Sequence, residues 1–454
     1  MEIPFEILEL IVEDFAATQS KANRKALANC SLVSPGLRRL SQSILFRDIS
    51  LQRVGGSNNP NRRVQVIIPV LKANPERLCG YVRTLTVSPI INESSDTITN
   101  GDADDQLERC PLNGLAGLHF PNLTDLSLGS YDATWLAFPV PVRRWIEDLC
   151  MGMSQARLQS LSITEMRDIP PSLLLTGPSI KRLSLSGGIS AFRSSDLDAF
   201  MAARPTTEQV SICQPKSLTF GPRYGRFLAS LMLIDPRIFA RVEDMSIYRF
   251  LTHLADIQDV NRALSVSGTS IRKLTINFVY GRGLQSLDLN PLKNLTCIVI
   301  RAIKVFPTQS QAVLPVLNQL CTLDDRAPLQ SLELETSRYH RIDNWDDPAC
   351  LMVRPVSHRA MDIHTWDAID KCLAAFIRRF STCNQIHLSF CTNVERPVTL
   401  GPDLKREEEK FESWKERAQI LVVTPEELLP ISSKESVLFN FTFPYGRLVS
   451  KDWR

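Results

Sequence analysis

The apolar positions of this chain change their period near residue 50. Before it, Ile7, Leu8, Ile11 and Phe15 recur at helical spacing, followed by Ala26, Leu27, Cys30 and Val33, and then by Leu37, Leu40, Ile44 and Leu45. Residues three and four apart share one face of a helix, so the segment predicts three short helices. Pro4 suits a first helical turn, where its missing N–H costs nothing. A polar break at residues 18–23 and the triplet Ser34-Pro35-Gly36 separate the three stripes.

From Phe46 onward a six-residue pattern, apolar-x-x-apolar-x-apolar, takes over. It starts at Phe46, Val82, Leu123, Leu158, Ile180, Val242, Ile271, Leu295, Leu329 and Cys383, with a weaker copy at Thr207. Its fifth place is Ser or Thr in eight copies: Ser50, Thr86, Ser127, Ser162, Ser184, Ser211, Ser246 and Thr275. Loose apolar matches arise by chance at this composition, but the agreement at the fifth place does not. Residues 284–289 also match, yet lie too close to Leu295 for an intervening helix and read as loop.

Helix-like stretches separate several copies: 64–73, 142–153, 195–203, 223–233, 256–264, 309–323 and, most clearly, 366–380. Strand, turn, helix and return make a leucine-rich-repeat arrangement. The copies lack a regular Asn ladder and are unevenly spaced, so the expected fold is α/β: three N-terminal helices over residues 1–50, then a degenerate leucine-rich-repeat solenoid over 51–400. A charged helix and tail follow over 401–454. Residues 92–113 are rich in Asp and Glu and read as an acidic loop. Residues 405–417 mix both charges around Phe411 and Trp414 and read as a solvated helix.

Composition narrows the class. The chain has 454 residues, 44% of them hydrophobic and 22% charged, with a net charge of +3. That is ordinary for a folded soluble protein, and so small a net charge gives no reason to expect a nucleic-acid or membrane partner. No apolar run approaches a membrane span, and the first residues lack the basic n-region of a signal peptide. The eleven cysteines are scattered without C-x-x-C spacing. They read as reduced, mostly buried thiols of a cytoplasmic or nuclear protein.

The N-terminal residues also carry a resemblance. Ile3-Pro4-x-Glu6-Ile7-Leu8-x-x-Ile11, then Leu27-x-x-Cys30-Ser31-Leu32-Val33-Ser34, then Ile44-Leu45-Phe46-Arg47-x-Ile49-x-Leu51 resemble the three successive landmarks of an F-box. The chain is most similar to F-box proteins of mushroom-forming fungi, in which irregular leucine-rich repeats follow the F-box. Leu287-Asp-Leu289-x-Pro291-Leu292-x-Asn294-Leu295 and Trp366-x-x-Ile369-Asp370 fit that kinship. The resemblance implies docking on a Skp-family adaptor, and through it on cullin and RING subunits, with the repeats holding a protein substrate for ubiquitination. It implies adaptor contacts at Ile3, Pro4, Ile7, Leu8, Ile11, Leu32, Val33 and Leu37. Leu37 departs from the pattern, because many relatives carry Trp there. A non-ligase scaffold with a relic F-box is the alternative, and a plain N-terminal cap on the repeats is the simplest role for the helices.

Enzyme motifs are missing. There is no G-x-x-x-x-G-K-[ST], G-x-S-x-G or H-E-x-x-H, so no catalysis and no cofactor are expected. His358, Asp362, His364 and Asp367 are better read as loop and helix-cap residues than as metal ligands. What remains is a surface. The third and fifth places point away from the buried leucines, and Asp125, Arg182, Asp244 and Lys273 supply the charges expected to hold a substrate.

Overall fold

A computed structural model describes residues 8–10, 12–13, 21–52, 62–89, 110–154, 156–175, 180–186, 213–221, 231–232, 235–248, 254–277, 287–304, 318, 320–321, 323–324, 326–341, 352–353, 363–396, 419–420, 438–442 and 445–450. Two compact units are present, Met1–Ile238 and Phe239–Arg454. The fold is α/β, with N-terminal helices followed by parallel strands that alternate with helices, consistent with a repeat solenoid.

In the first unit, residues 8–10 and 12–13 are helical, and α1 (Lys21–Val33) packs on α2 (Pro35–Leu45). Val12 and Leu27 are buried. The interruption expected at Ser34-Pro35-Gly36 is a one-residue hinge. Ser34 is extended and its Oγ accepts the Leu37 N–H at 3.3 Å, which caps α2. Pro35 opens that helix, where its lack of an N–H does no harm, and Gly36 lies inside it. From α2, Arg38 Nε donates to the Ser31 carbonyl at 3.1 Å. This satisfies one of the acceptors left over at the end of α1.

Strands β1 (Asp48–Leu51), β2 (Thr84–Val87), β3 (Asp125–Thr134), β4 (Ser160–Arg167), β5 (Arg182–Ser186) and β6 (Ser217–Phe220) then pair in parallel, each with the next. Helices α3 (Arg62–Ala73) and α4 (Pro75–Tyr81) join β1 to β2. A 3-10 turn at Pro111–Leu115 lies between β2 and β3, α5 (Val140–Cys150) follows β3, and α6 (Pro171–Leu175) follows β4. Parallel strands need such crossovers.

The register reproduces the sequence pattern. Third-place residues Asp48, Thr84, Asp125, Ser160, Arg182 and Ser217 stand side by side across the sheet, and so do the fifth-place residues Ser50, Thr86, Ser127, Ser162, Ser184 and Thr219. The fourth and sixth places, Ile49 and Leu51 through Leu218 and Phe220, are buried. Each strand enters in the same way. The Arg47 carbonyl accepts the N–H groups of Arg83 and Thr84, and those of Arg83, Thr124, Gln159 and Lys181 repeat the arrangement at 2.8–3.0 Å.

Three details depart from the sequence reading. The weak copy at Thr207 lies outside the described residues, and the strand paired with β5 is β6, whose first place is Pro215. The acidic loop ends before Pro111, because Leu112 and Leu115 are buried in the 3-10 turn. Residues 90–109 and the charged stretch 405–417 lie outside the described residues. Finally, the missing Asn ladder has scattered substitutes just before the first place. Asn122 donates to Gly80 O and Asn294 to Thr269 O at 2.6 Å, while Ser270 donates to Val242 O at 2.9 Å and Thr382 to Leu329 O at 2.8 Å. Each ties one turn to the turn before it.

In the second unit, β7 (Asp244–Tyr248), β8 (Lys273–Asn277), β9 (Cys297–Lys304), β10 (Ser331–Arg341), β12 (Gln385–Arg396) and β14 (Leu438–Thr442) pair in parallel in that order. A further strand, β15 (Tyr445–Ser450), also pairs with β12. A separate pair joins β11 (Met352–Val353) to β13 (Gln419–Ile420). Helix α7 (Leu254–Ser267) covers the stretch expected at 256–264, and α8 (Ile363–Arg379) the one expected at 366–380. The predicted stretch 195–203 and most of 223–233 and 309–323 lie outside the described residues. Residues 287–290 are not strand, as expected, although Leu287 and Leu289 are buried.

Candidate functional site

Two surfaces carry the residues singled out by the sequence. The first is the corner between α1 and α2. Leu32 and Val33 close α1 with relative exposures of 77% and 72%, whereas Leu27, on the same helix, is 2% exposed. Leu10, on the preceding helical stretch, is also exposed. The helix therefore buries one face and leaves an apolar end uncovered, held by the Ser34 cap and the Arg38–Ser31 bond. Leu8 and Leu37 are half-buried. Ile3, Pro4, Ile7 and Ile11 lie outside the described residues.

The second surface is the open sheet face, which differs between the units. In the first, Arg182 Nη2 meets Asp125 Oδ1 at 2.8 Å, reaching past Ser160 on the strand between them. Thr124 Oγ1 donates to the other oxygen, Oδ2, at 2.6 Å. Two of the four charges expected to hold a substrate are thus bound to each other. The fifth-place hydroxyl row beside them is half-buried throughout.

In the second unit Asp244 and Lys273 stand opposite each other in register. Burial raises the Asp244 carboxyl above its ordinary range and the Lys273 charge opposes that shift. Asp244 Oδ1 has no hydrogen-bond partner. Thr275, expected on the open row, is only 5% exposed, and Val299 beside it is buried as well. Alternation decides which way a side chain points, not whether other parts of the chain cover it.

Further along this face lies a charged group that the third and fifth places only half revealed. Arg301 stands 3.6 Å from Glu333 and 3.9 Å from Glu335. A bulge causes this: residues 301 and 302 of β9 oppose the single Glu335 of β10. Burial raises the Glu335 carboxyl, with Arg301 and His387 pulling it down and Glu333 pushing it up. Glu333 and His387 fill the fifth place of the copies that start at Leu329 and Cys383. Arg301 and Glu335 sit at the seventh, which the six-residue pattern does not reach.

A groove of about 340 Å³ opens where the helices meet the first repeat, with Arg24, Asp48, Ser50, Arg63, Thr84 and Thr86 among its walls. The overall charge concealed it. The signal was local: residues 21–52 hold six bases and one acid.

Among the described residues, no group of three or more His, Cys, Asp or Glu side chains could hold a metal ion, and no helix is long and apolar enough to cross a membrane. His358 and Asp362 lie outside the described residues. The nine cysteines whose side chains are described are all free, four of them buried and five half-buried, so the expectation of mostly buried thiols holds only in part. No protein-family model matches the chain, and no curated protein matches it either.

Proposed function

We propose that this chain is a non-catalytic substrate receptor of a Skp-cullin-F-box ubiquitin ligase. The N-terminal helices dock on the Skp-family adaptor, which brings cullin and RING subunits, and the open sheet faces take the protein to be modified. The observation that carries this reading is the exposed Leu32–Val33 pair, because both belong to the motif from which the resemblance was drawn. Large apolar side chains left uncovered next to each other favour a partner. The rows of small hydroxyl residues suit the close approach of a second chain, and the proposal places the protein in the cytoplasm or nucleus.

The test is co-purification. A tagged chain should bring down a Skp-family adaptor and a cullin, and Leu32→Asp with Val33→Asp should lose both. Capture of neither by the intact chain would leave the second reading, a scaffold whose F-box no longer docks. Leu37 favours that reading, since an aromatic anchor often carries much of an interface.

A further inference from the structure

The groove forms the first-repeat end of the open sheet face, where Asp48, Ser50, Thr84 and Thr86 meet Arg24 and Arg63 of the helices, and its polar groups are unspent. Among the described residues, the side chains of Arg24 on α1 and Arg63 on α3 make no ion pair or hydrogen bond, and neither does the Asp48 carboxylate that shares the groove. The Ser50, Thr84 and Thr86 hydroxyls in its walls also have no side-chain partner. Two guanidinium groups and three hydroxyls thus face a concavity with donors to spare. In sequence, Lys21, Lys25, Arg38, Arg39 and Arg47 belong to the same stretch, with Asp48 the single acid of residues 21–52. The groove's charged walls are two arginines and one aspartate, and a cleft with an excess of one sign concentrates ligands of the other.

We infer that this groove binds a carboxylate-bearing peptide segment of a partner protein. The inference rests on the receptor reading and names the chemistry that the receptor recognises. The anion's carboxylates meet Arg24 and Arg63 in charge-assisted, fork-like contacts. Asp48 disfavours a bare inorganic anion, but it accepts the N–H groups that a peptide backbone brings along with its acidic side chains. Nucleic acid fits less well. Beyond the groove, the neighbouring third-place charges are Asp125 and Arg182, already paired at 2.8 Å, so no cationic track continues along the sheet. The hydroxyl rows offer no aromatic faces for bases to stack on.

The test uses the full chain and a fluorescein-labelled octapeptide of alternating glutamate and alanine, followed by anisotropy. Arg24→Glu with Arg63→Glu should weaken binding at least about tenfold, while Lys25→Glu with Arg39→Glu should weaken it less than about threefold. The second pair makes the same charge change outside the groove. Melting curves of both variants guard against misfolding, and Arg24→Gln with Arg63→Gln replaces the reversal if that variant fails to fold. Equal losses from the two pairs would overturn the inference, because they would mean diffuse attraction. Displacement of the peptide by equimolar inorganic phosphate or by an oligothymidylate octamer would overturn it too. Adaptor capture is measured on the same preparations. If the intact chain captures no adaptor, the ligase reading fails while the peptide titration still decides the groove.

Discussion

Arg182 reaches Asp125 at 2.8 Å across the strand that carries Ser160, so the two charges most prominent in the first unit's open row form a single neutral pair. Their side chains are 60% and 33% exposed, which keeps the contact in water and worth at most about 1 kcal/mol. A pair this weak gives way readily to a partner that offers better contacts. Arg182→Glu should change stability by less than about 1 kcal/mol while lowering substrate capture. Adding Asp125→Lys restores an opposite-charge pair with inverted polarity, so folding recovers and capture does not. Denaturant titration and a substrate pull-down measure the two effects, and restored capture in the swap would remove the pair from recognition.

At the α1–α2 corner, exposed and buried leucines separate docking from folding. Leu32→Ala with Val33→Ala should leave the melting temperature nearly unchanged and lower adaptor affinity by about 2 kcal/mol or more. Leu27→Ala, a buried truncation, should instead cost about 2–5 kcal/mol of stability. Calorimetry against the purified adaptor and thermal denaturation read the contrast. Equal destabilisation by both changes would mean the corner is part of the core.

Ser34 holds the hinge that presents that corner. Ser34→Ala removes the acceptor of the Leu37 N–H and should cost about 0.5–2 kcal/mol, whereas Ser34→Asn or Ser34→Asp should restore most of it. Leu37→Trp tests the departure from the F-box pattern. If relatives fill an adaptor pocket here, the added ring tightens docking by up to about 1–3 kcal/mol. Lower affinity would show that the helix is built differently around Pro35 and Gly36.

Glu335 makes stability depend on pH in a defined direction. Burial raises its carboxyl above the ordinary 4.5, so near that value the folded state holds the proton more tightly than the unfolded one. Its contribution is therefore present at low pH and is lost as pH rises through 4.5 towards the raised folded value, with a slope of at most about 1.4 kcal/mol per pH unit. Asp244, raised by burial from 3.8, acts in the same sense over a lower window. Glu335→Gln should flatten the fall above 4.5 in urea titrations run across pH. An unchanged profile would assign the dependence to other groups.

The buried thiols should resist chemistry that exposed ones undergo. Burial pushes Cys79 and Cys383 up to about 11 and Cys213 to about 12, and raises Cys150 as well. Alkylation of the native chain at pH 8 should spare these four, since the thiolate is the nucleophile. All of them should react in denaturant, and peptide mass spectrometry distinguishes the states. Rapid native modification of Cys150 would contradict its burial.

Much of the first unit was legible in the chain itself. Places four and six of the pattern are apolar because side chains alternate along a strand, and they became the buried rows at Leu85–Val87, Leu126–Leu128 and Leu161–Ile163. The third and fifth places align across the sheet because each strand gives the same pair of N–H groups to a carbonyl at the start of the strand before it, so one pattern repeated along the chain becomes one register. Helices α3, α5, α7 and α8 were visible for the same reason, since 3.6-residue periodicity is a property of neighbours. The tertiary structure alone decided what crosses between repeats. It paired Arg182 with Asp125, opened the bulge that brings Arg301 to Glu335, covered Thr275, and set Arg24 and Arg63 around one groove. Residues distant in the chain meet only when strand register and crossover length are settled together, and no window along the sequence contains both.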